Sequence, residues 1–177
     1  MEFEEMLAKD LHRYLVSQGC VDNVMPECQD LDNLWPSVAE AYLPDGVREF
    51  ADYPLTSLGW IMFTGMALAK MWDTDWTTHS LRSGSDIYNM LRQQRGFDAL
   101  DDYVLEEVLS LNSEKSRAVA TVVGECAARS QSALQHSHLE AGTKEATEAY
   151  IAALHALYRC GIAMGLNLLG YHMTAIG

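Results

Sequence analysis

Two long stretches of this chain are apolar on every side, and they restrict the fold more than anything else in it. The first is PLTSLGWIMFTGMALAKMW, residues 54–72; the second is ATEAYIAALHALYRCGIAMGLNLLGY, residues 146–171. A surface helix carries one apolar stripe, whereas a helix that is apolar all round must be surrounded. Two such helices in 177 residues ask for more shelter than one small domain readily supplies. The sequence therefore predicts a dense helical interior and a homo-oligomer, a dimer first of all, in which a second copy covers what the first leaves open.

The length suits one all-helical domain, residues 1–177, able to bury roughly 70% of its unfolded surface. A hydrophobic content of 49% argues against disorder. A net charge of −13 and the lack of a basic stripe argue against nucleic acid, whose phosphates need clustered Lys and Arg. The same charge argues against anionic membrane surfaces. The start, MEFEEMLAKDLHRYL, lacks the basic head and apolar core of a signal peptide. Lys70 in the first stretch, and Glu148, His155, Arg159 and Asn167 in the second, argue against membrane spans. These features predict a cytoplasmic protein. Cys20, Cys28, Cys126 and Cys160 form no Cys-x-x-Cys pair, and the last two sit in apolar helical runs as small core residues.

Strand signals are almost absent, and the apolar spacing predicts a bundle of about seven helices with two largely buried at its centre. The expected helices cover residues 2–18, 31–43, 54–72, 86–95, 99–111, 114–136 and 144–172. Gly19 and Gly96 suit helix stops, and Ser85, Asp98, Ser113 and Thr143 suit N-caps. Pro44-Asp45-Gly46 reads as a turn, with a short helical turn after it over residues 47–52. Small residues gather in the third, sixth and last helices, which predicts close approach of these three. Gly161-x-x-x-Gly165 reads as a mark of tight packing within the chain rather than of a membrane dimer.

The segment Trp72-Asp73-Thr74-Asp75-Trp76-Thr77-Thr78-His79 is the most suggestive cluster for chemistry. Two carboxylates and an imidazole could hold Zn²⁺ or Mn²⁺ and activate a water. The simpler reading, which we favour, is that Asp73 or Asp75 caps the next segment and the tryptophans anchor the core. Glu148, His155 and Arg159 share one face of the last helix, either as a pocket wall or as a half-wetted stripe. Glu125 and Arg129 suit a surface pair one turn apart. His136 and His138 point different ways on a helix, which disfavours joint metal binding.

No His-Glu-x-x-His, Gly-x-Ser-x-Gly, phosphate-loop or EF-hand pattern is present, and the sequence points to no cofactor and no resident metal. Two functional readings remain. The first is a self-associating binding or scaffold module, with a protein partner or another copy of itself. The second is a small enzyme or ligand-binding protein, with metal-assisted chemistry as one option. Its small molecule would be held between helices by Trp60, Trp72, Asp73, Asp75, Trp76, His79, His155 and Arg159.

Overall fold

A computed structural model describes residues 2–172. Among them there are helices and no strands, arranged as one all-α domain. The helices are α1 (Glu2–Ser17), α2 (Gln29–Asp32), α3 (Trp35–Asp52), α4 (Pro54–His79), α5 (Gly84–Arg95), α6 (Leu100–Tyr103), α7 (Ser113–His136) and α8 (Lys144–Leu168).

The two apolar stretches become α4 and α8, and they run parallel at the centre. Ser57 meets Tyr150 near their starts, Gly65 meets Tyr158 and Ile162 further along, and Gly165, near the end of α8, meets Ala69. A Cβ on Gly65 would stand 2.6 Å from the Tyr158 carbonyl oxygen, and one on Gly161 would collide with the Met62 carbonyl. The small residues therefore let backbone touch backbone, as the Gly161-x-x-x-Gly165 spacing suggested. The third expected member of this dense centre, α7, joins it partially: Gly59 fits under Val123, whereas Gly124 faces open space.

A single chain shelters both helices. From Ser57 to Ala69 every residue of α4 is buried except half-buried Trp60. From Ala149 to Leu166 every residue of α8 is buried except the row Ile151, His155 and Arg159. The need for cover is thus met without a second copy, and it no longer supplies a reason for a dimer. By length and composition α8 could cross a membrane, but most of that stretch is buried within this fold.

Several boundaries depart from expectation. Pro44-Asp45-Gly46 is no turn: α3 runs through it to Asp52. An internal proline costs a helix about 3 kcal/mol or more. Continuing the helix nevertheless places Val38, Tyr42, Asp45 and Gly46 on its buried side, where their contacts offset that cost. Gly46 serves close packing, since a Cβ there would lie 2.6 Å from the Tyr150 hydroxyl. Asparagine and serine one or two positions earlier take the expected capping roles: Ser83 caps α5, accepting from Asp86 N at 3.1 Å, and Asn112 caps α7, accepting from Lys115 N at 2.8 Å. Thr143 caps α8 as expected. The expected helix over residues 99–111 is broken into a 3-10 turn, α6 and a π turn, Val104–Val108. Asp98 lies inside that 3-10 turn and caps nothing.

Helices α1 and α8 end alike. Gly19 (φ 70°) lets Cys20 N reach Leu15 O at 2.9 Å, and Gly170 (φ 96°) lets Tyr171 N reach Leu166 O at 2.9 Å. Each is a left-handed glycine closing a helix by a bond spanning the last turn. This stops α8 at Leu168, short of the expected His172.

Candidate functional site

The aromatic-acidic segment at the end of α4 is tied down by local bonds. Asp75 leaves helical geometry (φ −157°, ψ 66°), and its Oδ1 accepts from Thr78 N at 3.3 Å. Those bonds from Thr78 hold the Asp75 carboxyl below its ordinary range. Asp75 is thus the cap of one last helical turn. Asp73 accepts a 2.6 Å bond from the Tyr171 hydroxyl. Trp72 packs against Tyr171 with the rings tilted and their centroids 5.7 Å apart, and it donates to Asp30 Oδ2 at 3.0 Å. Trp76 and His79 are half-buried, and the shielded His79 Nδ1 has no hydrogen-bond partner among the described residues.

The other candidates sit elsewhere. Trp60 donates to Phe97 O at 2.8 Å and packs edge-on against Phe63. His155 Nδ1 lies 2.8 Å from Glu4 Oε1, and its ring stacks on Trp35 with centroids 4.9 Å apart. Arg159 reaches Glu27 at 3.5 Å, and Glu148 forms a loose surface pair with Lys144 at 3.9 Å. The half-wetted stripe is the better description of this face. No hydrogen bond or ion pair joins His155 or Arg159 to the segment from Trp72 to His79. Among the described residues, no three His, Cys, Asp or Glu side chains converge as a metal site would require.

A polar network that sequence reasoning missed lies between α3, α4, α5 and α8. Asp45, 6% exposed, accepts from the Tyr88 hydroxyl at 2.8 Å and from Arg48 at 2.9 Å. Arg92 Nε stands 2.7 Å from the same carboxylate, as an ion pair rather than an aligned hydrogen bond. Nearby, Tyr42 donates to Ser57 O at 2.5 Å and Ser57 donates to Gly46 O at 2.7 Å. With its proton committed there, Ser57 accepts from Tyr150 at 2.5 Å. One signal could have revealed Asp45: extending the apolar spacing of Val38 and Tyr42 past Pro44 puts this carboxylate on the inner face.

Burial dominates the chemistry of these tyrosines. It pushes Tyr150 up to about 12 and raises Tyr42 and Tyr88, the latter helped by its bond to Asp45. At neutral pH all three are protonated donors, suited to holding helices rather than abstracting protons. A group whose folded pKa is raised stabilises fully below its unfolded value and ceases to do so as pH rises through the folded value. The tyrosines' share of the stability is therefore expected to be whole up to their ordinary value of 10.0 and to fall from there towards about 12, seen as a steeper loss of stability in urea above 10.0 than below it. A level profile across that window would refute the assignment.

The thiols obey the same logic. Burial pushes Cys160 up to about 12 and raises Cys126 further, while Cys20 is only half-buried. An alkylating reagent at neutral pH is expected to modify Cys20 first, reaching Cys126 and Cys160 only after unfolding. Peptide mass mapping of native and denatured protein distinguishes this from uniform labelling.

Open concavities lie on both flanks of the C-terminal half of α7. A groove of about 480 Å³ separates it from α1, floored by Phe3, Leu7 and Ala133, with Met6 on its rim and Asp10, Arg129 and His136 along it. Arg129 donates to Glu125 at 3.0 Å and to Asp10 at 3.1 Å, and its guanidinium stacks over Tyr14 at 4.6 Å. On the other flank, a cleft of about 280 Å³ lies between α7 and α8, walled by Phe50 and Tyr150 over Ala146 and Ala149. The sequence held a partial signal for the first groove: Phe3, Met6 and Leu7 share one apolar stripe, too wide for the core to absorb whole.

Comparison of the chain with protein families, with characterised proteins and with solved structures finds no match.

Proposed function

We propose that this chain is a helical binding module whose working surface is the groove between α1 and α7. One observation carries the reading. Met6 is 65% exposed beside a groove floored by Phe3, Leu7 and Ala133, although its own stripe supplies the core residues Leu7, Leu11 and Leu15. Flexible, polarizable methionine on a groove rim suits adaptable contact with a partner helix. The tightly bonded network around Asp45 is closed and holds helices together, which favours binding over catalysis. Self-association is one form such binding could take, with a second copy seated in the groove. Four free cysteines support a reducing compartment such as the cytoplasm.

The test places a photoreactive phenylalanine analogue at Met6 in cells expressing the chain. Discrete cross-linked products are expected, and Ala133→Trp, which fills the floor, should suppress them. The same products from an analogue at exposed Gln94, or products indifferent to Ala133→Trp, would overturn the reading. Products at twice the chain mass would identify a second copy as the occupant.

A second reading, a small-molecule pocket, is supported at a different place from the segment Trp72 to His79. The cleft between Phe50 and Tyr150 offers aromatic walls and an alanine floor. Thermal shifts with small aromatic compounds, lost in Ala149→Leu, would favour it.

A further inference from the structure

Resting on the binding-module reading, the geometry points to a basic amphipathic helix of another protein as the occupant of the α1/α7 groove. Shape comes first. Phe3 to Asp10 on one wall and Arg129 to Ser137 on the other each run for about two turns of helix. An apolar floor of that length accepts anchors spaced i, i+3/i+4, i+7 from one helical ligand.

Charge then selects the ligand. Asp10 lies in the groove, Glu125 bonds the groove's arginine, and Glu2 stands one turn before Met6. Arg129, the one permanent cation among the described residues lining the groove, pairs with both Asp10 and Glu125, and its single charge leaves the groove and its edges net acidic. Its Nε is already given to Glu125, one terminal nitrogen to Asp10, and its face to Tyr14. It has little left for an acidic ligand. The other cations of α1 face away: Lys9 and Arg13 line a separate shallow pocket with His12 and Asn23. His136 is turned back on its own helix, 2.7 Å from Ser132 O. A second copy of the chain would bring its own charge of −13 to this rim, and like charges across an interface oppose association. A helix with lysines and arginines flanking its apolar face meets the floor and the rim together.

The probe is a labelled synthetic helix with leucines at i, i+3, i+4 and i+7 and lysines on its other face, titrated with the full chain and monitored by fluorescence anisotropy. Its counterpart carries glutamates in place of the lysines. The lysine peptide is expected to bind, and the glutamate peptide to bind at least about tenfold more weakly at low salt, a difference that shrinks as salt rises. Ala133→Trp, and independently Met6→Gln at an exposed position that leaves the core intact, should each weaken the lysine peptide. Undiminished binding in both variants would mean diffuse attraction to an acidic surface and would overturn the site. Equal binding of both peptides, lost in both variants, would overturn the charge selection while leaving the groove as a binding surface. No binding of the lysine peptide would overturn the inference outright.

Discussion

Gly161→Leu is expected to leave little folded protein. Position 161 lies where α8 presses on the backbone of α4, and even a single Cβ would collide with the Met62 carbonyl. Relief would require two central helices to part, and overpacking a tight core costs about 1–3 kcal/mol or more. A leucine multiplies that penalty against a total stability of only about 5–15 kcal/mol. Gly161→Ala is the milder version: alanine's helix preference returns about 1 kcal/mol, and the collision outweighs it. Gly124→Ala is the control with the opposite sign. Nothing lies within 4 Å of a Cβ there, so the same substitution should stabilise, by up to about 1 kcal/mol. Urea unfolding of the variants checks the order. Equal midpoints for Gly161→Ala and Gly124→Ala would contradict the close seam.

Asp45→Ala is expected to cost about 2–4 kcal/mol, because it strands the buried Tyr88 hydroxyl and removes the carboxylate that two arginines share. The loss stays below that of a fully buried ion pair. Arg48 and Arg92 side chains are 68% and 40% exposed and recover water when released. Tyr88→Phe should cost less, about 1 kcal/mol, since Asp45 keeps both cations. Asp45→Asn should fall between them, retaining an acceptor and losing the charge. If Asp45→Ala proved as mild as Tyr88→Phe, the arginines would be bystanders. The effect should read out as a lower unfolding midpoint with unchanged dependence on denaturant.

Much of the architecture was legible because helical packing is written in spacing. The buried faces of α1, α7 and α8 track runs such as Leu7, Leu11 and Leu15, or Val119, Val122 and Val123. The close approach at Gly161 and Gly165 was visible as small residues one turn apart. Three things were not legible in the same way. Pro44 and Gly46 look like a turn locally, and only contacts made by Tyr42, Ser57 and Tyr150 across the core overrule that preference. Asp75, Asp73 and His79 look convergent in one dimension, yet each carboxylate is committed to a different hydroxyl or amide. The groove was hidden because its walls come from distant parts of the chain: Met6 and Ala133 reveal nothing about each other until α1 and α7 lie side by side.

The parallel pairing at the centre carries a cost in time. Ser57 and Tyr150 are 93 positions apart, so the principal contact of the fold closes a long loop. On a ribosome, the first oily helix emerges long before its mate exists. Until α8 is made, that helix lacks its principal partner, and apolar surface left open in the interval favours aggregation or capture by a chaperone.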